Sequence, residues 1–163
     1  MQARKELTMK DVRKFFNEVS PFVMKKNPRD IGFTGTQNGM TYQQKVTFHK
    51  LINELRPKHF RHGDCIGADE DAHDIVLDKS FASIFIYPPS DPKKRAYCSQ
   101  YTSLCKPQPY LTRNRSIVDA SDMLIACPAT KAEQLRSGTW ATVRYARKQG
   151  KPVTIILPDG RIQ

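Results

Sequence analysis

Two kinds of run alternate along the chain. Short blocks read as strands: "PRDIGFTGT", "KHFRHGD", "ASIFIYPP", "MLIACP" and "KPVTIILP". "ASIFIYPP" and "MLIACP" are apolar on both parities, as in strands covered on both faces. The longer runs between them carry apolar residues at helical spacing. "TYQQKVTFHKLINEL" places Val46, Phe48, His49, Leu51, Ile52 and Leu55 on one broad stripe, with Thr41 as its cap. "GADEDAHDIVLDKS" turns Ala72, Ile75, Val76 and Lys79 inward, with Asp69 or a neighbour as cap. "LTRNRSIVDASD" reads as a helix capped by Thr112, and "SGTWATVRYARKQG" as a helix closed by Gly150. Ahead of them, Val12, Phe15, Phe16 and Val19 suit a short amphipathic helix ending near Pro21.

Strand and helix in alternation predict an α/β fold with a parallel sheet. Right-handed crossovers make it an open, doubly wound, Rossmann-like sheet of about five strands in the order 3-2-1-4-5, with helices on both faces. Its switch point falls between the first and fourth strands. The segment from residue 88 to 110 has no clear period and is long for a connection, so it reads as a lid or binding loop. Residues 1–29 read as an N-terminal helical extension and residues 30–163 as the sheet domain.

Composition adds little to the fold and something to the function. The 163 residues are 39% hydrophobic and 26% charged, ordinary for one globular domain. No apolar run is long enough to span a bilayer, and "MQARKELTMKDVRKFF" is too charged for a signal peptide, so a soluble cytoplasmic protein is expected. Cys65, Cys98, Cys105 and Cys127 are scattered with no C-x-x-C pair, which predicts neither a metal site nor a disulfide framework. The formal net charge of +11 suits an anionic partner without choosing one.

Four turns converge on the carboxyl edge of the expected sheet. They are "FTGTQNGMT", "HGDCIGAD", "LTRNR" and "RSGTW". Glycine lets a backbone approach a ligand closely, and the N-terminus of a helix carries partial positive charge. Gly35, Thr36, Gly63, Gly67, Arg113, Asn114, Arg115, Ser137, Gly138 and Thr139 are therefore the candidate ligand-binding set. Asp69 joins them, either orienting Arg113 or touching a ribose hydroxyl; capping its helix is the plainer role. A hydrolytic reaction needs a carboxylate to activate water, and Asp64, Asp69 and Glu133 are the candidates. His62 ends a strand beside these turns, whereas His73 and Trp140 suit packing.

The same residues carry a resemblance. Gly63, Gly67, Asp69, Ala72 and His73 form a G-x-x-x-G-x-D-x-x-A-H pattern, followed by R-N-R at Arg113–Arg115 and S-G-T at Ser137–Thr139. With "IGFTGT" ahead of them, and over about residues 30–158, these elements resemble the SLOG superfamily of Rossmann-like nucleotide-binding domains. DNA-processing protein A and small stand-alone SLOG proteins are the nearest in pattern. The resemblance implies a phosphate site at the carboxyl edge and, by analogy, paired copies in a homodimer or higher homo-oligomer.

It also frames the function. The expectation is a domain that binds a nucleotide or nucleotide-derived ligand, with or without N-glycosidic (phosphoribo)hydrolysis. The alternative is a single-stranded nucleic-acid-binding module like that of DNA-processing protein A. LOG-type hydrolases in the superfamily carry P-G-G-x-G-T-x-x-E. Here Leu135 and Arg136 replace the paired glycines, and Thr142 stands where the acid would be. Tyr97, Tyr101 and Tyr110, in or closing the long loop, are candidates to stack on a base. No cofactor is expected.

Overall fold

The computed structural model describes residues 28–163, together with Lys10 and Lys14. The helix expected around Val12–Val19, and with it nearly all of the extension 1–29, lies outside the described residues. From Asp30 onward the chain follows the expected alternation. Strands are β1 (Asp30–Gly35), β2 (His59–His62), β3 (Ser83–Ile86), β4 (Ser103–Leu104), β5 (Met123–Cys127) and β6 (Val153–Ile155). Helices are α1 (Tyr42–Leu55), α2 (Ala68–Lys79), α3 (Tyr110–Asp119) and α4 (Gly138–Lys148).

The sheet order is β4-β3-β2-β1-β5-β6, and every neighbouring pair is parallel. The five expected strands keep their order, and β4 is added at the edge. It comes from the long loop, where Thr102 and Cys105 donate backbone N–H groups to Ile84 and Ile86 at 2.8 Å each. A strand of two residues with Leu104 exposed shows no alternation, which is why the sequence pattern missed it. The same connection holds a 3₁₀ turn at Pro92–Lys94.

The sheet separates two apolar clusters. On one face Phe33, Phe48 and Phe60 meet at centroid distances of 5.3–6.0 Å, between β1, β2 and α1, and Ala72 and Val76 of α2 join them. On the other face Leu124, Ala126 and Ile155 pack under Val118, Trp140, Val143 and Ala146 of α3 and α4. Strand alternation explains the division. Ile31 and Phe33 of β1 belong to the first cluster, while Gly32 lies against Ile117 and Ser121 at the end of α3.

The helix ends depart from expectation in instructive ways. Thr41 and Gln44 form a reciprocal capping box at α1, as its sequence suggested. Asp69 does not cap α2: the cap position is Gly67, and the carboxylate turns back into the preceding loop. Thr112 does not cap α3 either, because Pro109 starts that helix at Tyr110. Gly150 follows the last cap residue of α4, Gln149, at φ +68°.

Gly67 locks the first two turns together. Its φ is +102°, and a Cβ there would overlap the carbonyls of Thr36 and Gln37. The next residue, Ala68, donates its N–H to Thr36 O at 2.9 Å. Gly67→Ala should therefore destabilise the domain by at least about 1–3 kcal/mol. Thermal unfolding checks this, and an unchanged midpoint would refute the packing role.

Candidate anion-binding site

The switch point lies where β1 and β5 part company. Thr36 N donates to Cys127 O at 3.1 Å, so the first turn leaves the sheet beside the end of β5. The turn after β2 meets it. Gly63 and Cys65 each donate a backbone N–H to Asp69 Oδ2 at 3.1 Å. Thus the carboxylate at the start of α2 organises the loop that precedes it.

Arg113 enters this crevice from the first turn of α3. It is only 2% exposed. Its Nη1 lies 3.8 Å from Asp69 Oδ2, and its Nη2 donates to Cys65 Sγ at 3.2 Å. Its Nε has no partner. A cation with one long ion pair, one thiol acceptor and one unmatched N–H is under-compensated for its depth. Glycine 63 is the condition for its placement, since a Cβ at Gly63 would coincide with the guanidinium.

Tyr110 covers the crevice. Its ring lies 4.9 Å from Arg113 Cζ, and Lys94 Nζ lies 5.8 Å from the ring on the loop side. The ring also occupies the space a side chain at Gly138 would fill, and so joins the start of α4 to the site. Asn114 donates to Thr142 Oγ1 at 2.8 Å, and Thr142 donates to Gly138 O at 2.9 Å. The remaining cleft, lined by Gly35, Gln37, Cys65, Asp69, Tyr110 and Arg113 among others, has a volume of about 10 Å³. That is room for a single water.

Burial dominates the local electrostatics. It pushes the Asp69 carboxyl up to about 6, although Arg113 and the two backbone N–H groups pull the other way. Burial likewise raises the Cys65 thiol and the Tyr110 phenol, against the lowering influence of Arg113. His62 is driven down to about 3 by burial, then by His73 and Arg113. It is a neutral imidazole at physiological pH.

The structure thus brings together Gly35, Gly63, Asp69, Arg113 and Asn114, with Gly138 joined through Tyr110. Thr36 and Gly67 form the rear of the same corner, backbone against backbone. Ser137 caps α4 by accepting Trp140 N at 3.3 Å, and Thr139 is buried in that helix's first turn. Other candidates are not gathered. Arg115 is exposed, its guanidinium 5.5 Å from the Tyr145 ring. Glu133 pairs with Arg144 and Arg147 at 3.0 and 3.6 Å on the outer side of α4. Asp64 is fully buried, and both its oxygens are engaged by the long loop: Arg95 Nε at 2.7 Å and Cys98 N at 2.9 Å. Its backbone, at φ +55°, also accepts Ala96 N at 2.8 Å. Asp64 is a loop anchor.

Cys65 and Thr142 were not expected at the site, and the parts played by Tyr110 and Asn114, both candidates, were not specified by the sequence. Cys65 looked like an incidental thiol. Tyr110 was grouped with Tyr97 and Tyr101, which are 59% and 43% exposed on the loop, although it alone faces Arg113. The Asn114–Thr142 bond joins two helices, and no spacing rule connects them.

No protein-family model matches the sequence, and no curated protein does. Solved structures do match in fold. The X-ray structure of TM1055, a structural-genomics target, aligns with TM-score 0.57 and 12% identity over 77% of this chain and 72% of that one. DNA processing protein A from Streptococcus pneumoniae aligns with TM-score 0.59 and 18% identity over 77% of this chain. DNA processing protein A from Helicobacter pylori, solved for its unique single-stranded DNA binding mode, aligns with TM-score 0.56 and 22% identity over 83% of this chain and 68% of that one. The chain spans about half of the pneumococcal protein, 49% of its length. The chain has a Rossmann-like fold, similar to that of DNA processing protein A. No helix among the described residues is long and apolar enough to cross a membrane.

Asp69 makes a pH prediction with a definite sign. A carboxyl with a higher pKa folded than unfolded binds its proton more tightly in the folded state. Its favourable contribution is therefore complete below the unfolded value, about 3.9, and is lost as pH rises through about 6. Urea unfolding between pH 4 and 7 should show this component as a loss of about 1–3 kcal/mol. Asp69→Asn should flatten the slope over that window; an identical pH profile would refute it.

Proposed function

We propose that this domain binds the phosphate of a nucleotide or nucleotide-derived ligand, with Arg113 as the principal cation. The observation that carries the reading is the buried guanidinium, its Nε unmatched, in the crevice beyond the carboxyl ends of β1 and β5. In open α/β sheets that crevice is where ligands bind. An arginine with donors in hand can offer a phosphate charge-assisted bonds. Tyr110 must turn aside for a ligand to enter, since the closed cleft admits no more than a water. Turned outward, its ring can stack on a base.

Binding is favoured over N-glycosidic hydrolysis by the fate of the acids. Asp64 is spent on the loop, Glu133 points away from the crevice, and Thr142 is a buried hydrogen-bonding link. Asp69 is the one acid lining the cleft among the described residues. Both of the backbone N–H bonds it accepts go to Oδ2, so it serves first to hold the turn and Arg113. Were hydrolysis to occur, Asp69 would be its base.

A second reading is favoured by the likeness to the Helicobacter pylori protein and by the cations beside Tyr110. Lys93 and Lys94 are exposed on the 3₁₀ turn at the mouth of the site. There the phosphate would be one unit of a single-stranded nucleic acid, with Tyr110 stacking on a base.

A thermal-shift panel separates these readings. AMP, ADP and ribose 5-phosphate should raise the melting temperature, while adenosine should not. Arg113→Lys, which keeps the charge and loses the fork, should weaken phosphate binding at least ~10-fold, and Arg113→Met should remove it. Unchanged affinity in both variants would overturn the proposal. If single-stranded oligonucleotides bind far more tightly than mononucleotides, with log K falling steeply with log salt, the second reading holds.

A further inference from the structure

Behind the crevice, and outside it, lies a second polar cluster. His62 at the end of β2 is fully buried, His73 on α2 is 2% exposed, and their rings meet at 5.1 Å between centroids. The hydrogen bonds assign the tautomers. Asp64 N donates to His62 Nδ1 at 3.1 Å, so the His62 proton is on Nε2. That nitrogen lies 3.0 Å from His73 Nδ1, which accepts. His73 Nε2 then donates to Ser99 O at 2.7 Å. Cys98, next along the loop, turns its thiol toward the same place. One ligand atom from each of His62, His73 and Cys98 lies within 4.8 Å of the other two.

We infer that His62, His73 and Cys98 form a binding site for a borderline-soft transition-metal ion, of the class of Zn²⁺, with a water in the fourth position. Two imidazoles and a thiol are a donor set that such ions select. In a tetrahedral site with ordinary Zn–N and Zn–S bonds, these ligand atoms stand about 3.4–3.6 Å apart. The present spacing, within 4.8 Å, needs the ligand atoms to close by up to about 1.4 Å. The loop is already held in place for this. Tyr97 and Gln100, on either side of Cys98 and Ser99, adopt φ +55° and +60°, and Asp64 accepts the Cys98 N–H. Cys98 is partly exposed, which gives the ion a path inward.

Entry of the ion is balanced as follows. The Cys98 thiol releases its proton to solvent, and the His62 proton passes from Nε2 to Nδ1. Three metal–ligand bonds then replace the bond between the two rings, the one from Asp64 N and the thiol's hydrogen bond to the Asp64 side chain. Asp64 lies beside the site, one oxygen held by Arg95 and the other by the Cys98 N–H, and a bound divalent cation removes a thiol proton outright.

Cobalt(II) is the probe, since it reports its ligands optically. The full chain should take up one equivalent, with a sulfur-to-cobalt charge-transfer band and the ligand-field bands of a tetrahedral ion. Cys98→Ser should abolish the charge-transfer band and weaken binding at least ~10-fold, and Cys105→Ser should change neither. Absence of stoichiometric binding, or a charge-transfer band that survives in Cys98→Ser, overturns the inference. A second measurement needs no variant. Zn²⁺ should slow alkylation of Cys98 in the wild-type protein, read by peptide mass spectrometry, while Cys105 reacts at its usual rate. Equal alkylation of Cys98 with and without Zn²⁺ also overturns it.

Discussion

The site depends on one guanidinium held in a place that does not fully satisfy it. Burying a charge is costly unless it is paired and hydrogen-bonded, and Arg113 is neither completely. Its carboxylate stands 3.8 Å away, it donates to a thiol, and its Nε is left over. Much of the local architecture exists to put it there. Gly63 removes the side chain that would collide with it, Asp69 braces the turn beside it, and Tyr110 covers it. The incomplete satisfaction of Arg113 is the ground on which a phosphate is proposed as its missing partner.

The architecture was legible to the extent that local pattern controls it. Unbroken apolar runs such as "MLIACP" can only be strands covered on both faces, and β5 is buried throughout. Helical stripes and the right-handed crossover rule then left little freedom in strand order. What escaped was set by long-range contact. Strand β4 exists because Ile84 and Ile86 offer carbonyls to a passing loop. Asp69 leaves its own helix uncapped because the Gly63 and Cys65 N–H groups are closer partners. That Gly35, Gly63 and Arg113 would meet at one edge was readable from the sheet order, whereas Arg115 faces away from it. The roles of the acids were not readable, because a carboxylate's work depends on which donors the fold delivers.

That distinction reassigns Asp64. In sequence it sits between Gly63 and Cys65 and looks like part of the ligand-facing turn. In the fold it faces the opposite way, clasping Arg95 and the Cys98 N–H, so that the connection from β3 to α3 lies against the second turn. The long loop is therefore an integral wall of the domain. It delivers Tyr110 and Lys94 to one side and Cys98 and Ser99 to the other. The Arg113 crevice and the histidine pair share this wall, and the residues between His62 and Asp69 lie between them.

The most direct test of the central claim is to watch the Arg113 Nε–H itself. Side-chain nitrogen–proton NMR, assigned by its loss in Arg113→Lys, should show this resonance shifting as AMP or ribose 5-phosphate is added, saturating at one equivalent, and staying still with adenosine. A resonance that does not move at saturating phosphate ligand would contradict the account.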